Sequence, residues 1–408
     1  MRRLSLNTWY TSARTNPAVG ALAVFFAALI IRLAYLGRIL QGSLRTPPDT
    51  GSYIEACQVI FSDPTALIGI RKGITYLGFT APFCSVRVLS GGSNVPWAFV
   101  QVFLSAVTAV LIYYICVRVV SVAGGIIAGF GFALLFEALR FVVFMLSETV
   151  FIAALVFSMW AIAFHRDERT KTSAVLVVVS FIWLITTRPF GLPIVAGWLF
   201  FDLFPDDSGY RIGLLPRSVS IAGVVGLPIL VQALTDVFRK LNQASLSFRE
   251  GWIYYRGHWD SPLSLYEYTP RVSDTAVEFF IVNIDHVLQI MLLRLFVFYL
   301  PLVPRLSRGA IVYTAFNAIV LIPLLVCTLL GLVRSLRQHS IVFSLFGTPI
   351  IVVTGVTMLM FVSSSWRYRA PLAPSFALIT GYFLTTNPKL VKLREAIEQR
   401  MARWRNRL

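Results

Sequence analysis

Two carboxylates and three arginines stand at the edges of apolar stretches of this chain, at Asp49, Glu148, Arg188, Arg367 and Arg369. An ionisable group beside hydrocarbon is costly to keep, so such positions commonly have a functional reason. A carboxylate held just outside a bilayer can accept the proton of a hydroxyl that attacks a membrane-anchored donor. Asp49 has suitable surroundings, in the run Thr46-Pro47-Pro48-Asp49-Thr50-Gly51-Ser52-Tyr53. The prolines stiffen the approach, the aspartate falls where a helix can start, and Tyr53 lies one turn later on the same face. A plain helix cap would use the aspartate equally well. Glu148 in a first helical turn would be favoured by the dipole alone, and the arginines could snorkel to lipid phosphates. A topology that brings all five to one membrane face favours the functional reading over these.

The elements that must carry them are apolar runs of about 17 to 25 residues, long enough to cross a bilayer as helices. Ten are predicted, over 17–36, 96–119, 122–138, 145–164, 172–187, 189–204, 212–234, 311–333, 341–362 and 370–386. Pro189 directly after Arg188 favours a tight hairpin at the surface between the fifth and sixth. Basic residues beside the runs fall on one side: Arg2, Arg3 and Arg14, then Arg166, Arg169 and Lys171, then Arg211 and Arg217, then Arg334 and Arg337, then the tail from Lys389. The positive-inside rule makes that side cytoplasmic. Both termini are then inside, and the five candidates are outside. Segments 37–95 and 235–310 form two extracytoplasmic loops, the first with a helix-like stretch from Tyr53 to Phe61. Within the second, 279–300 has apolar residues at helical spacing interrupted by Asp285, His286 and Arg294, so it reads as an interfacial helix. Residues 388–408 form a basic cytoplasmic tail suited to anionic lipid.

Composition agrees. The chain is 57% hydrophobic and 13% charged, with mean hydropathy +0.75, too apolar for one soluble core of 408 residues. Its net charge of +17 is explained by topology and anionic head groups, without nucleic acid. The first run lacks a small-residue cleavage motif and reads as an uncleaved span. Cys57 and Cys84 share the first loop and could pair; Cys116 and Cys327 fall in apolar runs. His165, His286 and His339 lack metal-ligand spacing, and His258 with Asp260 reads as loop hydrogen bonding. The expectation is one all-α integral domain over 1–408, a polytopic transmembrane helical bundle of the cell (inner) membrane.

An acidic residue followed by a tyrosine in the loop after the first span resembles the signature of the GT-C glycosyltransferases, the superfamily that includes aminoarabinose transferase and the protein O-mannosyltransferases. Leu146-Ser147-Glu148-Thr149, Thr187-Arg188-Pro189 and Arg367-Tyr368-Arg369-Ala370-Pro371-Leu372-Ala373-Pro374 are similar to family patterns at corresponding places. The resemblance implies a hexosyl- or pentosyltransferase of the cell envelope. It would move a sugar, with inversion, from a polyprenyl-phosphate carrier to a lipid, glycan or protein acceptor outside the cytoplasm. It makes Asp49 the base and Glu148 a residue that orients the base or a substrate. Many relatives have paired acids where this chain has Asp49-Thr50, so a metal-binding pair is missing and metal-independent, cofactor-free chemistry is expected. Arg188, Arg367 and Arg369 would bind the phosphate and stabilise its growing charge. Lys72, beside Arg71, resembles a donor-binding basic segment, though the usual following prolines are absent. Tyr53, Tyr368 and Trp259 are candidate substrate contacts. Trp259 belongs to an aromatic group, from Trp252 to Tyr268, that would suit either sugar stacking or an interfacial belt.

Two rivals remain. A polysaccharide polymerase or ligase would also combine many spans with arginines for a lipid-linked phosphate. A transporter or flippase of lipid-linked sugar would need polar groups and broken helices at mid-membrane, whereas these runs are mostly apolar through their centres.

Overall fold

The computed structural model describes residues 16–42, 44, 46–47, 49–63, 67, 73–205, 209–214, 247–248, 276–300, 308–338, 340–359, 365–392 and 396. Among the described residues the fold is all helical, without strands. The first helix, α1 (Pro17–Leu40), starts where the Asn16 side chain accepts the Ala18 N–H (3.0 Å) and Pro17 occupies a position that needs no donor. Two outer helices follow, α2 (Asp49–Val59) and α3 (Leu77–Leu89), joined by a Cys57–Cys84 disulfide with Cα atoms 5.1 Å apart. Next come α4 (Val95–Val119), α5 (Val122–Leu134), the short α6 (Phe136–Arg140), α7 (Glu148–Glu168), α8 (Lys171–Thr187) and α9 (Gly191–Asp202). After a stretch mostly outside the described residues, the chain continues as α10 (Ala276–Val282), α11 (Ile284–Tyr299), α12 (Arg308–Arg337), α13 (Thr348–Leu359), α14 (Ser365–Arg369) and α15 (Ala373–Thr386).

The core is a bundle in which α4 packs against α1, α5 and α7, while α15 packs on α5 and α12. Small residues allow the closest approach: a Cβ on Gly381 of α15 would lie 2.5 Å from the Gly124 carbonyl oxygen of α5. Many outward side chains remain apolar and exposed, such as Phe26 and Ile30 on α1 and Ile319 and Leu329 on α12, as expected of surfaces that face lipid.

Among the described residues four helices are long and apolar enough to cross a membrane, Pro17–Leu40, Val95–Val119, Glu148–Glu168 and Asn317–Arg337. The other predicted spans that fall within the described residues are shorter or broken. The run at 122–138 is two helices bent by 50° at Leu135, and Lys171–Thr187 and Gly191–Asp202 are short apolar helices. The ninth run begins with a π-helical turn, Phe343–Gly347, where Trp198 donates to the Leu345 carbonyl (3.1 Å). The tenth opens with a 3-10 turn at Ala370–Leu372, as Pro371 and Pro374 require. The predicted interfacial helix is divided into α10 and α11 at Asn283. The predicted span 212–234 and the first residues of the chain lie mainly outside the described residues.

Charge inside the bundle departs from the expectation of spans apolar through their centres. Arg32 of α1 is fully buried, donating to Ser105 Oγ (2.7 Å) and to the Ala28 and Ala133 carbonyls (3.2 and 3.5 Å), with its guanidinium over the Phe132 ring. Ala133 sits where α5 ends, so Arg32 supplies donors to backbone released by the bend.

Candidate active site

Asp49, Glu148, Arg188 and Arg367 converge, although up to 318 residues separate them. Each arrives by a local device. Asp49 is the first residue of α2, where the helix dipole favours a carboxylate. Glu148 is likewise the first residue of α7, after a fully buried approach from Phe141 to Ser147. Arg188 caps α8 in extended backbone (φ −158°, ψ 148°), the conformation that a following proline enforces, so Pro189 turns it out of the helix. Trp183 Nε1, one turn earlier, donates to the Gly78 carbonyl (3.2 Å) and ties this end of α8 to α3. Arg367 comes from α14.

Arg367 is the bridge. Its Nε donates to Glu148 Oε1 and its Nη2 to Asp49 Oδ2, both at 2.6 Å. Arg188 Nη1 stands 3.2 Å from the same Glu148 oxygen, and the Arg188 guanidinium lies over the Phe151 ring at 5.9 Å. The glutamate side chain is 0% exposed, whereas Arg367 is 22% and Asp49 35% exposed, so the cluster runs from a sealed floor to an open rim. Burial pulls the Arg367 proton affinity down, but Glu148 and Asp49 more than offset it and the net shift is upward. The floor also has unmatched atoms: among the described residues Glu148 Oε2 and Arg188 Nε have no hydrogen-bond partner, and Arg188 Nη1 meets Glu148 by charge without hydrogen-bond geometry. Buried polar atoms left unpaired cost about 1 to 3 kcal/mol each, which a polar ligand could recover.

α7 is 21 residues long, about 30 Å at 1.5 Å per residue, and Arg166 and Arg169 lie at its opposite end from Glu148. There Arg118 pairs with Asp167 (2.9 Å) and Arg334 donates to the Thr386 carbonyl (2.9 Å). Basic residues and the acid-arginine cluster thus occupy opposite ends of the bundle.

Arg369 and Tyr53 depart from their expected roles. Arg369 is 1% exposed; its Nε bonds both Glu137 carboxylate oxygens (2.9 Å each), its Nη2 also bonds Glu137, and its Nη1 bonds the Phe298 and Leu300 carbonyls (2.6 and 2.8 Å). With its donors directed to protein acceptors, it is built into the bundle and not presented to a donor phosphate. Tyr53 is 1% exposed and donates to Ser147 Oγ (3.2 Å), with its ring against Phe79 (centroids 4.6 Å). It props the Glu148 approach from beneath, and burial pushes its phenol above the ordinary range. Tyr368 is half-buried beside Phe190 (5.9 Å). Lys72 and Trp259 lie outside the described residues.

Three residues join the picture without having been expected. Thr50 donates to the Met145 carbonyl (3.2 Å) and docks α2 against the approach to α7. Tyr76, whose phenol is raised by burial, lies within electrostatic reach of Arg188, Glu148, Tyr368 and Arg367. Glu137, the partner of Arg369, was visible in sequence as an acid within an apolar run, a signal in its own right.

No family model and no curated protein matches the chain. Among solved structures it is similar to the archaeal oligosaccharyltransferase AglB from Archaeoglobus fulgidus, determined in complex with an inhibitory peptide and a dolichol-phosphate. The TM-score is 0.50 over 93% of this chain. At 11% identity, this is a likeness of fold. The chain spans 51% of that protein's chain, so the likeness is to the fold of about half of it.

Proposed function

We propose that this protein is a membrane glycosyltransferase that moves a sugar, with inversion, from a polyprenyl-phosphate carrier to a lipid, glycan or protein acceptor at the extracytoplasmic face. The observation that carries this reading is the bridge from Arg367 to Asp49 and Glu148, with Arg188 on the same glutamate. It offers a rim carboxylate and two guanidiniums within one small volume. Asp49 takes the proton of the acceptor hydroxyl as that oxygen attacks the anomeric carbon. The bond from that carbon to the phosphate oxygen breaks on the opposite side, its electron pair stays on the phosphate, and Arg367 and Arg188 stabilise the anion. Glu148 holds both guanidiniums in place.

Two further observations support the reading. The Cys57–Cys84 disulfide belongs to the segment that carries Asp49, and disulfides persist in oxidising compartments. An apolar groove of about 480 Å³ is lined by Leu292, Leu295, Phe296, Tyr299, Leu300 and Ile322, and Arg369, two residues from Arg367, donates to the Leu300 carbonyl. It suits a prenyl chain. The flippase reading draws on buried Arg32, whose Nε and Nη1 donate to Ser105 Oγ and to the Ala28 and Ala133 carbonyls and whose Nη2 has no partner among the described residues.

Purified protein supplied with a synthetic polyprenyl-phosphate sugar should transfer or hydrolyse it, and Asp49→Asn should lower turnover about 100- to 10,000-fold, the range of a general base. Turnover unchanged in Asp49→Asn would remove the base from this scheme.

A further inference from the structure

The resting site has a contradiction within the proposed function, on which the following rests. A carboxylate paired with a guanidinium is a weaker proton acceptor, yet Asp49 Oδ2 is engaged by Arg367 Nη2 at 2.6 Å. Arg367 is also the guanidinium best placed to meet a phosphate, being 22% exposed where Arg188 is 5% exposed. One group therefore faces two claims, from the carboxylate already present and from an oxyanion that has still to arrive.

The two ends of the bridge are not equivalent. Glu148 is fully buried and also paired with Arg188, so pulling Arg367 from it would leave a carboxylate short of charge in a sealed place. Asp49 lies at the rim, 35% exposed, on the first turn of a short helix, where water can solvate a carboxylate that loses its partner. An arriving anion thus displaces Asp49 and leaves the Glu148 end intact.

We propose that Arg367 latches Asp49 in the resting protein, and that the phosphate of the lipid-linked donor takes the Arg367 Nη2 position and releases Asp49 toward the acceptor. The consequence is a binding order, donor before acceptor, with the base unmasked only when there is a sugar to transfer.

The test is a double-mutant cycle on binding, read by titration calorimetry with geranyl phosphate on the full chain in detergent. Asp49→Asn removes the competing anion and should tighten binding about fivefold, the scale of a partly exposed charge pair. Arg367→Gln should weaken it by about tenfold or more. In the Arg367→Gln background, Asp49→Asn should then change nothing. Equal tightening in both backgrounds would mean simple charge repulsion and would overturn the latch. So would no tightening at all, and in either case the donor reading would stand because phosphate still binds. Failure of the wild type to bind geranyl phosphate would instead overturn the donor reading, and the latch with it. Arg367→Met, which removes the charge and keeps an apolar stem, covers the case in which Arg367→Gln does not fold; an unchanged Asp49→Asn gain in that background again counts against the latch.

Discussion

Arg367 and Arg369 stand two positions apart on α14 and have opposite fates. Residues i and i+2 of a helix do not face the same way, so one arginine turns to the Asp49 rim and the other into the bundle. Arg369 pairs with Glu137, which also accepts from Asn317 Nδ2 (3.2 Å), and donates to two carbonyls besides; it is 1% exposed. Arg367 shares Glu148 with Arg188 and reaches a half-exposed aspartate. The lesson is that an arginine's availability to a ligand depends on which of its donors the fold has already satisfied. Charge near a membrane surface does not decide it.

The largest expected effect comes from the buried member. Arg369→Ala would strand the Glu137 carboxylate and should cost about 3 to 5 kcal/mol of stability, seen as a drop in thermal unfolding temperature in detergent. Replacing both partners by apolar residues, Glu137→Leu with Arg369→Met, should recover much of that loss. An unchanged unfolding temperature in the single variant would erase the distinction drawn between the two arginines.

A smaller and different effect is expected at the rim. Arg367→Ala should lose about 2 to 4 kcal/mol of transition-state stabilisation, measured as kcat/KM for the lipid-linked donor, with less loss of stability than Arg369→Ala. Because Arg188 contacts the same glutamate, the effects of removing both arginines need not add. Equal catalytic efficiency in wild type and Arg367→Ala would reassign this arginine to lipid anchoring.

The smallest effect belongs to the residue beneath. Tyr53→Phe deletes one buried hydrogen bond and should cost about 0.5 to 1.5 kcal/mol of stability. Acceptor KM should hardly move; a large rise would restore Tyr53 to direct substrate contact, as its spacing from Asp49 suggested.

Much of the rim was legible because its signals are local. The Pro-Pro-Asp run, the acid at the start of an apolar helix and the Arg-Pro pair each specify a helix end, and helix ends are where these side chains gather. The Glu137–Arg369 pair was not legible as a pair, because its members are 232 positions apart and nothing in spacing links them. Nor could spacing show that Tyr53 points down onto Ser147, since a first-turn neighbour of Asp49 can lie above or below it. Length of apolar sequence also overstated the regularity of the spans. The 50° bend at Leu135 and the π turn at Phe343–Gly347 arise from packing, including side-chain donors such as Arg32 and Trp198 that meet irregular backbone.

The Cys57–Cys84 bond has a consequence for motion. It closes a loop of 27 residues, which the chain-entropy account equates with about 3 to 4 kcal/mol removed from the freedom of the unfolded chain. Asp49 stands two turns up the same helix from Cys57, so if α2 frays from the bundle it remains on a leash attached to α3. Its effective concentration at the rim stays high, and redocking becomes a local search by a short tethered helix.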